Sequence, residues 1–217
     1  MRTARPLLVL ALTGLTGLTG LTGLAGLTAC GGATPVVRRS EAERLDPRVL
    51  YPMLASSQWV YDVHTGPEPP TLGIFEVVLA NGDRRGIATN LGMAEGGRVR
   101  RGETVEYEIA EEGIRHVASD RWVLRAPIRE GASWPAMGGR TARVTNLDAS
   151  VEVEAGRYEH CVEVTEDGGE DGRTVRTIYC PDVGPVVMES RIETRLTMRS
   201  VETVARLRSY TASADEE

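Results

Sequence analysis

The stretch that decides the fold reads Val186-Val187-Met188-Glu189-Ser190-Arg191-Ile192-Glu193-Thr194-Arg195-Leu196-Thr197-Met198-Arg199. Val186, Met188, Ile192, Leu196 and Met198 share one parity, and Glu189, Arg191, Glu193, Arg195 and Arg199 share the other. Successive side chains on a strand point to opposite faces, so this period of two describes a strand with one buried and one wet face. About 13 such residues would reach roughly 43 Å at 3.3 Å per residue, beyond the usual five or six. A strand of that length belongs to a sheet that coils around its own core. Val201 to Tyr210 reads as its antiparallel return strand.

The same period extends upstream. Trp59, Tyr61 and Val63 alternate with Gln58, Asp62 and His64. Leu72 to Ala80 is a β-rich run that meets Asn81-Gly82, a strong hairpin signal. Thr104–Ala110 and Ile114–Val117 flank Glu111-Glu112-Gly113. Trp122–Ile128, the turn-like Arg129–Pro135, Arg140–Leu147 and Val151–Glu154 continue the series. From Trp59 onward no segment holds helical spacing over three turns. The expected class is all-β: an antiparallel meander forming a curled sheet or open half-barrel. A single domain is expected over residues 50–211, followed by an acidic disordered tail, 212–217.

The chain has 217 residues, 41% of them hydrophobic and 26% charged, a globular composition. Its 25 basic residues, all Arg, face 31 acidic ones for a net charge of -6. An acidic chain lacks the basic face that replaces phosphate counterions on nucleic acid, and it lacks a polybasic grip on anionic lipid.

The amino terminus reads as an export and anchoring signal. Arg2 and Arg5 form a short positive region, and no charge follows from Leu7 to Ala29. That run carries a Leu-Thr-Gly repeat and closes on Leu27-Thr28-Ala29-Cys30. A positive start, an apolar run and small residues before the cut compose a secretory signal. The last four residues resemble a bacterial lipobox, which implies acylation of Cys30 and cleavage just before it. Residues 1–29 are then the signal peptide, and 30–49 are the lipidated Cys and a flexible tether. Two other readings stand beside this one: a membrane span, weakened by its many Gly and Thr, and an ordinary signal with a chance Cys. Several acyl chains hold a protein to a bilayer stably where one does not. Gly31 stands where Asp marks inner-membrane retention, which implies the outer membrane, facing the periplasm. Within the tether, Ser40 and Glu43 fit a capping box, with Pro47 stopping any helix.

With Cys30 assigned to lipid, Cys161 and Cys180 remain, in an exported context where disulfides persist. Folding the chain about the Asp167–Gly172 loop sets Cys161 opposite Cys180, Val162 opposite Tyr179 and Val164 opposite Thr177. Directly opposed antiparallel residues lie within disulfide reach. The pair is expected to be a structural bridge, and no ligand set suggests a metal or redox pair. His160 neighbours Cys161, but adjacent residues on a strand point apart, so it cannot activate the thiol and is expected to face the core. Gly131-Ala132-Ser133-Trp134-Pro135 half-matches a nucleophile elbow, yet it lacks the second Gly and is spoiled by Pro135. Asp167–Gly172 begins like a calcium loop but carries Gly169 and Ile178 where ligands belong. His64, His116 and His160 show no metal-binding spacing. No catalytic residue, cofactor or metal ligand is assigned.

Several segments together resemble an uncharacterised group of bacterial lipoproteins with one β-rich domain after the lipobox. They are Tyr51-Pro52 with Trp59-Val60-Tyr61, Glu112-Gly113-Ile114, and Ala126-Pro127-Ile128 with Gly131 and Trp134. The most distinctive are Val151 to Tyr158 with Cys161 to Val164, and Tyr179-Cys180-Pro181-Asp182-Val183-Gly184-Pro185-Val186. The group shows a V-x-A-G-x-[FY]-x-x-C strand and a Y-[AC]-P-x-V-G-x-V turn. Asp182 departs where Gly is common, and Arg157 where a small residue is usual. The resemblance spans about residues 50 to 210 and implies an architecture similar to curled half-barrel carriers of the envelope. It transfers no catalytic residue. The expected function is a membrane-anchored, non-catalytic envelope module that binds another envelope protein. The alternative is a carrier of an acyl chain or other apolar ligand inside the curled sheet. An apolar cavity of ~300 Å³ or more would favour the carrier, and a filled core the module.

Overall fold

Alternating side chains and tight reversals produce twelve strands after two short helical turns. These are α1 (Glu41–Arg44), α2 (Pro47–Leu50), β1 (Gln58–Thr65), β2 (Thr71–Asn81), β3 (Arg84–Met93), β4 (Arg100–Ala110), β5 (Gly113–His116) and β6 (Arg121–Arg125). The second half holds β7 (Ser133–Pro135), a 3₁₀ turn (Met137–Gly139), β8 (Thr141–Val153), β9 (Gly156–Asp167), β10 (Arg173–Cys180), β11 (Gly184–Thr194) and β12 (Arg199–Thr211). The computed structural model describes residues 39–93, 100–194 and 199–212. Residues 1–38, with the signal peptide and Cys30, lie outside the described residues, as does most of the acidic tail.

All twelve strands form one antiparallel sheet in the order β6-β5-β4-β3-β2-β1-β12-β11-β10-β9-β8-β7. Two meanders therefore meet at a central β1–β12 pair, and β6 and β7 are the sheet's two margins. Those margins are consecutive in the chain. The loop 126–132 joining them reaches at most about 28 Å, whereas twelve flat strands would set the margins about 50 Å apart. The sheet has to curl until its edges approach, and it does so as an all-β, nearly closed barrel. Strand sense alternates around it. One rim, here called upper, carries the turns at 82–83, 111–112, 154–155 and 181–183, the loop 126–132 and Thr211. The other rim carries the turns 66–70, 117–120, 136–140 and 168–172.

The expected alternation is realised in β1, where Trp59 and Tyr61 are buried between more exposed neighbours. Inward residues of every wall fill the interior, among them Val77, Ile87, Ile114, Leu124, Trp134, Val144, Val164, Ile178, Val186 and Leu207. The turn expected at Asn81-Gly82 is present with Gly82-Asp83 as its two loop residues, since Asn81 pairs Arg84. Arg140–Leu147 and Val151–Glu154 merge into one strand, β8, whose pairing with β9 shifts register three times. These bulges bend the β8–β9 hairpin, and the Ala155 N–H donates to the Leu207 carbonyl of β12 at 3.2 Å.

Three expectations are revised. The single strand read from Val186 to Arg199 is two: β11 ends at Thr194, which pairs Arg199, and Arg199 opens β12. The two-residue period runs on from β11 into β12 with no Gly, Pro or Asn between them to mark a boundary; Leu196 and Met198 lie outside the described residues. The tether read as running to residue 49 is ordered from Arg39. Ser40 and Glu43 form the capping box, Asp46 caps α2, and Pro47 opens α2 at a position that needs no N–H donor. His160, expected in the core, is instead exposed with φ 58°. The β8–β9 bulges shift the face-alternation there, so that Cys161 and Val162 are both buried and His160 is turned out.

Candidate functional site: the upper rim and its strap

Residues 39–53 form a strap across the upper mouth. Arg44 Nη1 donates to the carbonyls of Leu147 (2.9 Å) and His160 (2.6 Å) at the β8–β9 bulge. The Asp182 N–H donates to the Val49 carbonyl at 2.8 Å, and Arg39 pairs with the Asp182 carboxylate. At the end of α2 and just past it, Leu50, Tyr51 and Met53 enter the barrel, and Arg85 Nε donates to the Met53 carbonyl at 2.7 Å. Tyr51 packs edge-on against Trp59, centroids 5.6 Å apart, and lies 6.1 Å from Tyr179. The interior is therefore closed above by the chain's own side chains.

The turn Pro181-Asp182-Val183-Gly184 is built around the same aromatic cluster. Trp59 Nε1–H donates to the Val183 carbonyl at 2.5 Å, and the Tyr61 hydroxyl donates to the Pro185 carbonyl at 2.7 Å. Gly184 sits at φ 101°, and a Cβ there would stand 3.2 Å from both the Trp59 indole and the Tyr51 ring. The distinctive Y-C-P-D-V-G-P-V segment is thus a seat for Trp59, Tyr61 and the strap. Burial pushes the Tyr51, Tyr61 and Tyr179 hydroxyls far above their ordinary range and raises Tyr107 to about 12. These phenols are packing and hydrogen-bonding groups at any pH near neutral.

Cys161 and Cys180 are joined by a disulfide, with Val162 opposite Tyr179 and Val164 opposite Thr177. The other residues weighed from the sequence remain apart. His160 Nδ1 lies 2.6 Å from Asp148, both largely exposed. His116 Nδ1 lies 2.6 Å from Ser119, His64 is exposed on β1, and Ser133 is exposed on β7. In the 168–172 turn the Asp171 carboxylate accepts from the Arg173 N–H at 3.0 Å. Among the described residues no three His, Cys, Asp or Glu side chains are grouped to hold a metal ion.

Two charged arrangements were not visible in the sequence. At the lower rim Arg140 Nε donates to Glu166 at 3.0 Å, with Asp171 at 3.6 Å, and both members of the first pair are largely buried. Burial raises the Glu166 carboxyl, and Arg140 offsets only part of that rise. On the outer wall Arg176 bridges Glu163 (2.7 Å) and Glu189 (3.0 Å) across β9, β10 and β11. Burial would push Glu163 up, but the bonds from Arg176 and Thr145 outweigh it and hold the carboxyl low. Arg176 sits directly opposite Glu189 and two residues off register from Glu163, so the pairing of β9, β10 and β11 is the signal that could have found this bridge.

Clefts on the described surface are open and mixed in polarity. One of about 540 Å³ lies at the upper rim between Arg48, Asp83, Arg85, Ile109 and Glu111. A neighbour of about 290 Å³ runs along the strap, past Leu45, Pro47, Pro127 and Ile128.

The fold has a solved counterpart. The chain is similar to a protein of Bacteroides fragilis NCTC 9343 that is inferred to be exported and has a YmcC-like fold. The match has a TM-score of 0.50 at 11% identity, over 75% of this chain and 98% of the other. At that identity the likeness concerns architecture alone. No family model and no curated protein matches the chain.

Proposed function

We propose that the protein is an exported lipoprotein of the cell envelope whose barrel works by binding a partner rather than by catalysis. The observation that carries the reading is the filled interior. Trp59 is 0% exposed and Tyr61 1%, and the strap's Leu50 and Met53 occupy the mouth, so the described core leaves its space to the protein's own side chains. An acyl carrier needs an apolar cavity of several hundred Å³ enclosed by its sheet. The clefts at the rim are instead open and partly charged, which suits contact with a macromolecule. The export signal, the lipobox at Leu27–Cys30 and the inferred export of the B. fragilis protein support an extracytoplasmic place. Gly31 after Cys30 favours the outer membrane, facing the periplasm.

Two measurements test this. Mass spectrometry of the membrane fraction should recover an acylated peptide that begins at Cys30, and residues 1–29 still joined to the mature chain would overturn the anchoring. Solvent extraction of the purified protein should release no lipid beyond that attached to Cys30. A stoichiometric second lipid would overturn the module in favour of the carrier.

A further inference from the structure

The β2–β3 hairpin departs from the alternation that governs the rest of its wall. Val77 is buried, but Val78, Leu79, Ala80 and Asn81 are all exposed, as are Gly82 and Asp83 beyond them. A bulge between Val77 and Leu79 frees the strand from its register at that point. On its β2 side, Val78–Asn81 run past the start of β1 and are exposed, while the β3 side stays paired with β4 up to the turn, where the Ile109 N–H donates to the Asp83 carbonyl at 2.8 Å. Val78 is 46% exposed and Leu79 44%. Leu54 beside them, in the segment whose Ser56 N–H donates to the Val77 carbonyl, is 46% exposed. Three of the four large exposed hydrophobic residues in the described chain gather at this one place on the upper rim. Singly such residues mean little; gathered on one side of a rim hairpin they mark a contact surface.

The chain's own connectivity says what covers it. The strap joins the barrel at the upper rim, where Arg39 meets Asp182. Eight residues lie between Cys30 and Arg39, a span of about 30 Å at full stretch and about 17 Å as a random coil. On the lipoprotein reading, a tether this short that joins the barrel at the upper rim favours that rim as the one facing the bilayer. Arg84 and Arg48 stand beside the tip, exposed and paired with Glu108 and Asp46. We propose that the Val78–Leu79 hairpin tip, with Leu54, dips into the membrane that carries the Cys30 anchor and fixes the barrel upright on it. This rests on the lipoprotein reading above.

The test uses the full chain, processed by its host and reconstituted in vesicles of phosphatidylethanolamine and phosphatidylglycerol that carry a phospholipid with a photoreactive acyl chain. After illumination, peptides are mapped by mass spectrometry, and the acylation of Cys30 is read in the same digest. The expected result is acylated Cys30 with lipid label on the peptides holding Leu54 and Val78–Leu79. In the variant Val78→Ser/Leu79→Ser, with an unchanged circular dichroism spectrum, label on the hairpin should fall about tenfold, the ratio that half-exposed aliphatic side chains sustain when buried. Should that variant fail to fold, Leu54→Ser gives the same reading at the neighbouring turn. Acylated Cys30 with an unlabelled hairpin, or label confined to the 117–120 and 168–172 turns, overturns the membrane contact and leaves the lipoprotein reading intact. Unacylated Cys30 overturns both.

Discussion

Replacing Gly184 with Ala probes the joint between the β10–β11 turn and the aromatic cluster. Gly184 adopts φ 101°, outside the region that L-residues reach without strain. Holding Ala there costs about 1–3 kcal/mol. The new methyl also meets Trp59 and Tyr51 at 3.2 Å, closer than most real Cβ contacts, so the indole has to give way. Its movement weakens the Nε1–H bond to the Val183 carbonyl, worth about 1 kcal/mol. Together these predict a loss of about 2–4 kcal/mol, or a urea midpoint lowered by about 1–2 M for a domain of this size. A double-mutant cycle separates the two parts. In a Trp59→Phe background the smaller ring and missing donor should make the Ala substitution about 1 kcal/mol cheaper. An Ala variant within about 0.5 kcal/mol of wild type would refute the strain argument. Equal costs in the two backgrounds would refute the contact argument.

The bridge closes a loop of 19 residues in sequence separation, so the Cys161→Ser/Cys180→Ser double variant should lose about 3 kcal/mol and melt roughly 6–12 °C lower, as scanning calorimetry can check. His160→Gly removes an exposed pairing with Asp148 but suits φ 58°, so it should be neutral or stabilising, while the β-branched His160→Val should be less stable than His160→Gly by at least about 1 kcal/mol in the same denaturation assay. Because burial raises Glu166 above its unfolded value of about 4.5, the folded state holds that proton more tightly than the unfolded one. This favours folding at acid pH, and the advantage is lost as pH rises from about 4.5 through the raised folded value. The stability of wild type relative to Glu166→Gln should therefore decline across that window in pH-dependent urea titrations, and a rise would refute the assignment.

Much of the architecture was legible because the chemistry that sets it is local. The two-residue period in Trp59–Val63, the turn residues at Asn81-Gly82 and Glu111–Gly113, and the mirror spacing about Asp167–Gly172 each specify a strand or a reversal directly. Bulges escaped notice because they depend on how two strands of unequal length fit together. Of these, the β8–β9 irregularities turned His160 outward. The strap escaped for a related reason. Its helices are four residues each, too short to leave a periodic trace, and they are held by contacts such as Arg44 to the His160 carbonyl, far away in sequence. The rim contacts required the curled sheet itself, which brings β5 and β11 to one mouth around α2.

The central β1–β12 pair sets a timetable for folding. Gln58 is matched with Thr211, so the first strand's second neighbour is the last strand made. Contacts this distant close slowly, because the intervening chain has to be ordered before they form. Until Arg199–Thr211 is in hand, β1 has one bare edge, β11 has another, and Trp59 lacks the Tyr210 ring that stacks on it at 5.3 Å. A chain truncated ahead of β12 would keep those sticky edges for good and should aggregate. On the export route proposed above, a chain threaded through a membrane amino terminus first completes the sheet only after β12 has crossed.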